Sequence, residues 1–77
     1  MPRFFFRLSN GGTLHDGEGE DLRDDNAARD VAIEVLAETL VSRRQHLNEG
    51  EAYEVMVTDA DDRQVYSITA QGRRFDG

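Results

Sequence analysis

Residues 1–8 read Met1-Pro2-Arg3-Phe4-Phe5-Phe6-Arg7-Leu8, and the fold turns on how this stretch is placed. Successive side chains of a strand point to opposite faces, so Phe4, Phe6 and Leu8 share one side while Arg3, Phe5 and Arg7 share the other. Aromatic rings suit a pleated, half-buried surface. Pro2 fits at the first strand position, where its missing N–H costs least. The spacing predicts a strand over 2–8 with a core on one face and solvent or a partner on the other.

Working outward, Ser9-Asn10-Gly11-Gly12 follows. Asn-Gly is a strong hairpin signal, because both residues tolerate positive φ. Thr13 to Asp16 then predicts a return strand. Gly17-Glu18-Gly19-Glu20 weakens it into a bulge or a frayed edge. Leu22 is the last residue of this arm expected to reach the core. Asp24-Asp25-Asn26 reads as a helix start, a capping side chain followed by an acid near the positive end of the dipole. No proline or glycine interrupts Ala27 to His46. At helical angles Ala28, Ala32, Val35, Leu36, Thr39, Leu40 and Leu47 share one face, with Ile33 at its border. Asp30, Glu34 and Glu38 line the opposite face, and Asp25 and Arg29 form a favourable pair four apart. Arg43, Arg44 and His46 suit the negative end of the helix, which Asn48-Glu49-Gly50 is expected to close.

Alternation returns at 52–58, with Tyr53, Val55 and Val57 against Glu54, Met56 and Thr58. Asp59-Ala60-Asp61-Asp62 is a polar turn, and 63–70 is the last strand, carrying Val65, Tyr66 and Ile68. The tail, 71–77, is polar except for Phe75 and is expected to fray. The chain therefore reads as one α+β domain over 1–70, in the order ββαββ. The helix returns the chain to the end where the second strand began. A right-handed crossover over the first strand then sets the third beside the first. The expected sheet is four-stranded and antiparallel, in strand order 2-1-3-4, with one helix on one face and the other face uncovered.

Composition narrows the function. The chain has 77 residues and no cysteine, which excludes a disulfide scaffold, thiolate zinc and a cysteine nucleophile. Sixteen acids against nine bases give a net charge of −7. Such a chain gains little from phosphate backbones or anionic membranes, so nucleic acid and membrane partners are disfavoured. Every base is arginine, which follows from either a codon bias or a use of planar, bidentate donors. No apolar run approaches a membrane span. Arg7 cuts the phenylalanine run short of a signal peptide's apolar stretch, so the expected compartment is the cytoplasm. A domain this small has a thin core, which makes self-association a physical expectation.

Few residues carry recognisable chemistry. Asp59, Asp61 and Asp62 resemble a calcium loop, but the sixth position from Asp59 is Gln64 and the twelfth is Ala70, where glycine and glutamate are needed. A solvated β-turn is the better reading. Asp16, Glu18, Glu20, Asp21, Asp24 and Asp25 could hold a hard cation weakly, although acids at a strand edge also stop it pairing with other chains. His15 and His46 lack any metal-ligand spacing. No nucleophile elbow or phosphate loop is present, and the chain is short for a core plus a catalytic pocket. The sequence thus predicts no enzyme, no cofactor and no metal site.

The uncovered sheet face is the candidate interface: Arg3, Phe5 and Arg7 on the first strand beside Glu54 and Met56 on the third. It is expected to hold Arg7–Glu54 cross-strand pairs around a Phe5–Met56 centre, an apolar patch with a charged rim. The ordinary alternative is a lone aromatic shielded by arginine stems. A different class of function uses the same residues, with Phe5 stacking a base and Arg3 and Arg7 holding phosphates of a single-stranded nucleic acid.

The opening Met1-Pro2-Arg3-Phe4-Phe5-Phe6, the glycine-containing hairpin, the helix from Ala27 to Leu40 and the run Glu54-Val55-Met56-Val57-Thr58-Asp59 together resemble a known group. It comprises short uncharacterised alphaproteobacterial proteins that begin Met-Pro-Arg-aromatic-Phe and form a domain of unknown function. The resemblance covers residues 1 to about 69 and implies the one-helix, antiparallel-sheet fold and a bacterial cytoplasmic setting. It implies no activity, ligand or catalytic residue. Members commonly carry Asp-Gly in the last hairpin turn, where this chain has Asp62-Arg63. The architecture is also similar to that of small antitoxin-type domains, which would make the chain a regulatory partner protein.

Overall fold

The computed structural model describes residues 1–9, 19–45, 47, 50 and 52–75. Its elements are β1 (Arg3–Ser9), β2 (Glu20–Asp21), α1 (Asp25–Ser42), β3 (Ala52–Asp59) and β4 (Gln64–Gln71). They form a four-stranded sheet in the order β2-β1-β3-β4, with every neighbouring pair antiparallel. This is the ββαββ arrangement that the crossover argument gives. β1 and β3, the two most apolar strands, occupy the centre.

The alternation of β1 is realised in full. Phe4, Phe6 and Leu8 are buried, while Arg3 and Arg7 are exposed. On β3 the same period buries Tyr53, Val55 and Val57. These six side chains form one core with Ala28, Ala32 and Leu36 of the helix. The small alanines let α1 approach closely as it packs across β3 and β4. Burial of each large side chain contributes about 1.5–3 kcal/mol. Val31, on the margin of the apolar face, also packs against this core, whereas Ile33 is largely exposed.

Asp24 caps α1, its Oδ1 accepting from the Ala27 amide at 2.9 Å. Arg29 pairs with its neighbour Asp30 at 3.1 Å, not with Asp25 as the four-residue spacing predicts. The helix also ends earlier than its lack of glycine implies. It stops at Ser42, and Arg43 is the C-cap, its amide bonded to the Thr39 carbonyl. Arg43 instead lays its guanidinium over the ring of Tyr53, 6.0 Å from its centroid. The Thr39 hydroxyl donates to the Val35 carbonyl, the Ser42 hydroxyl to the Thr39 carbonyl, and Arg44 Nε to the Val41 carbonyl, so the last turn is finished locally. Leu47 still reaches the core, from beyond the helix. Gly50, at φ +80°, turns the chain toward β3.

The Asn10-Gly11 hairpin, the return strand at 13–16, and residues His46, Asn48 and Glu49 lie outside the described residues. Within them, the second strand is the two-residue β2, paired as Arg3 with Asp21 and Phe4 with Glu20, C-terminal to Gly17 and Gly19. Leu22 packs against the core, as expected of the arm's last apolar residue.

Candidate functional site

The face of the sheet away from α1 is assembled from strand register. On β1 it carries Arg3, Phe5 and Arg7, and on β3 it carries Glu54, Met56 and Thr58. Ser67 and Thr69 of β4 extend it with exposed hydroxyls. Phe5 lies opposite Thr58, Arg7 opposite Met56 and Ser9 opposite Glu54. The pairs the sequence led us to expect are therefore displaced by one step. Arg7 and Glu54 are diagonal, as are Phe5 and Met56, and the direct neighbours are Arg7–Met56 and Phe5–Thr58. Diagonal side chains remain within reach of an aromatic ring or a long stem.

Phe5 is half-buried, and Gly19 explains why. A Cβ at Gly19 would stand 2.8 Å from the Phe5 ring, 2.8 Å from the Arg3 stem and 3.0 Å from the Phe4 carbonyl. The ring thus covers bare backbone, and Gly19 holds φ +75°, a conformation that favours glycine. Arg3 is engaged as well. Its Nε donates to Asp21 Oδ1 and its Nη2 to Asp21 Oδ2, each at 3.1 Å. Arg7 is exposed and has no ion-pair partner among the described residues. The most exposed large apolar side chains among the described residues lie elsewhere, at Met1, Val41 and Phe75.

The other sequence candidates have structural duties. Asp59 Oδ1 accepts from the amides of Asp61 at 2.9 Å and Arg63 at 3.0 Å, and its Oδ2 accepts from Arg63 Nε at 3.1 Å. The Arg63 amide, above all, holds this carboxyl below its ordinary pKa, helped by the Asp61 amide and the Arg63 guanidinium; desolvation pushes the other way. The turn closes with Asp62 at φ 63°, a left-handed position that aspartate tolerates. In the acidic segment, Asp21 is held by Arg3 and Asp24 by the helix cap, while residues 16–18 lie outside the described residues, as do His15 and His46. Among the described residues no group of three or more histidines and carboxylates is placed to hold a metal ion. No helix among them is long and apolar enough to cross a membrane.

Two features escaped the sequence reading. Gly19 counted only as a weak point in a strand, although a glycine beside a predicted aromatic strand is a signal of close approach. The other is β4, whose eight residues, Gln64–Gln71, contain no charge, proline or glycine. No curated protein and no solved structure matches the chain. A family model does match, over residues 3–71, from the first residue of β1 to the last of β4, and the chain belongs to that family, described as Domain of unknown function (DUF6894).

Proposed function

We propose that the chain is a protein-interaction module that docks another protein on the helix-free face of its sheet, through Phe5, Arg7, Glu54 and Met56, with Arg3 at the rim. The observation that carries this reading is the one-sided cover of the two central strands. β1 and β3 bury one row of side chains under α1 and present the other, with Phe5 and Met56 on a diagonal and Arg7, without an ion pair among the described residues, beside Met56. A fitting partner offers an apolar side chain to that diagonal and a carboxylate to Arg7. The compartment consistent with this reading is the cytoplasm. The nucleic-acid alternative on the same face is weaker, because Asp21 already holds the Arg3 guanidinium, which leaves Arg7, among the described residues of that face, to meet phosphates in a chain of net charge −7.

The test compares wild type with Phe5→Glu and Met56→Glu, each checked by circular dichroism. A protein retained by immobilised wild type, lost with both variants, and shifting the amides of Phe5, Arg7, Met56 and Thr58 when added in purified form supports the reading. Light scattering covers the case in which the occupant is a second copy, which would give a dimer lost in both variants. Retention unaffected by both substitutions overturns the reading. Shifts on this face with a short single-stranded oligonucleotide, lost at high salt, would replace it with the nucleic-acid alternative.

A further inference from the structure

The sheet has two edges of opposite character. Among the described residues the β2 edge is two residues long, both acidic, and Gly19 precedes it. The β4 edge is eight residues long and reads Gln64-Val65-Tyr66-Ser67-Ile68-Thr69-Ala70-Gln71. An edge strand presents a row of backbone N–H and C=O groups that neighbouring chains can pair with, and proteins usually blunt it with charge, proline or a bulge. In β4 the only such device lies near its start, where a register shift between Val57 and Thr58 leaves Val65 unmatched. From Tyr66 to Gln71 the pairing with β3 is regular.

We propose that this edge pairs antiparallel with β4 of a second copy of the chain, joining two sheets into one of eight strands. Three observations select that occupant. The first is charge. The chain carries −7 overall, and like charges keep two copies apart unless they meet where there are none. β4 is such a place: no charged side chain lies along Gln64–Gln71, in a protein of which 32% is charged. The second is an incomplete layer. Tyr66, Ile68 and Ala70 face the core but remain half-buried, whereas Tyr53, Val55 and Val57, opposite Ala70, Ile68 and Tyr66 on β3, are fully buried. A further strand beside β4 would cover the open side of those residues. The third is self-complementarity. An antiparallel strand pair is related by a two-fold axis, so one surface serves both copies. With Ile68 on that axis, Tyr66 faces Ala70 of the partner subunit, and Ser67 faces Thr69 of the partner subunit. Large then meets small on the core side, and hydroxyl meets hydroxyl on the open side.

The proposal stands apart from the docking reading, since backbone at the sheet's edge carries it and not the side chains of Phe5 and Met56. Sedimentation velocity of the full chain from micromolar to millimolar concentration tests it. Wild type, Phe5→Glu and Met56→Glu should all dimerise as concentration rises. Ser67→Lys combined with Thr69→Lys should sediment as a monomer with an unchanged circular dichroism spectrum, because both side chains are solvent-exposed and the substitutions set lysines opposite one another across the joint. Mixed labelled and unlabelled copies should give intermolecular nuclear Overhauser effects between the two β4 strands, a readout that needs no variant. A wild type that stays monomeric at every concentration overturns the proposal. So does a dimer that survives the lysines, or one that Phe5→Glu and Met56→Glu abolish; the last result would instead place the second copy on the open face.

Discussion

The β3–β4 hairpin and the β1–β2 arm solve the same problem, fastening two antiparallel strands, with opposite means. The hairpin pairs over nearly its whole length and closes through one carboxylate, Asp59, which holds the amides of Asp61 and Arg63. The described part of the arm pairs at two positions only. Side chains hold it: Arg3 grips Asp21, and the Phe5 ring lies over Gly19. Long backbone pairing is cooperative with the core, because β3 is also the strand beneath the helix. A two-residue bridge fastened by side chains can open while the rest of the sheet persists. On that ground the hairpin should open only with the whole domain, and the described part of the arm should open on its own.

The largest expected effect follows from that division. Tyr53 is fully buried in β3, and its hydroxyl accepts from Arg43 Nε at 3.4 Å. Tyr53→Ala should lose about 3–5 kcal/mol, as large aromatic deletions in cores do. In a domain this small that unfolds most of the population, which chemical denaturation would read as a midpoint near or below zero denaturant. A Tyr53→Ala protein that keeps a well-dispersed spectrum would show that β3 is not the keystone. Gly19→Ala comes next. The added methyl meets Phe5, Arg3 and the Phe4 carbonyl, and a non-glycine residue in this backbone region is strained by on the order of 1–3 kcal/mol. The amides of Glu20 and Asp21 should lose protection from hydrogen exchange while those of β3 and β4 keep theirs. Uniform loss across the sheet would refute the separability of the arm.

How far the sequence foretold these two regions also differs. Period-two alternation placed Phe4, Phe6, Leu8, Tyr53, Val55 and Val57 in the core, and crossover handedness gave the strand order, because both rest on local geometry that burial reinforces. Register is a different kind of quantity. Whether Arg7 faces Met56 or Glu54 depends on turns and bulges at a distance, and alternation is blind to a shift of two residues. The helix end differs for a related reason: the absence of a breaker predicts continuation, whereas local donors close the last turn at Ser42, and where such bonds form is not visible in the spacing of apolar residues. At the site, the residue types were readable and their engagement was not. Nothing in Arg3-Phe4-Phe5 says that Asp21 will occupy the guanidinium or that Gly19 will shelter the ring.

Asp21→Ala isolates the weaker fastening of the arm. It removes both hydrogen bonds to Arg3 and leaves Phe5 on Gly19. The pair is roughly half exposed, and such surface ion pairs are worth about 0.2–1 kcal/mol. Global stability should therefore change little, while exchange at Glu20 and Leu22 speeds up. Leu22 is diagnostic, because its amide donates to the Pro2 carbonyl at 3.0 Å just beyond the salt bridge. If its exchange is unchanged, the salt bridge contributes nothing to holding the arm.

The smallest effect belongs to the hairpin turn and is read by pH. The Asp59 carboxyl lies below its ordinary value of 3.8 in the folded chain, chiefly because the Arg63 amide donates to it. A lowered folded pKa means that the ionised form is favoured by folding. The contribution is fully present above the ordinary carboxylate range and is lost as pH falls through the depressed folded value. Carbon-detected titration should therefore give Asp59 a midpoint below the ordinary aspartate value of 3.8. The Asp61 and Arg63 amides, which see the carboxylate directly, should move with the same midpoint. β2 offers a control within the molecule, since its fastening does not pass through Asp59 and its amides should not follow that curve. An ordinary midpoint for Asp59 would mean that the turn is held by its backbone bonds, Asp59 to Arg63 and Asp62 to Asp59, and that the carboxylate is incidental to how this hairpin closes.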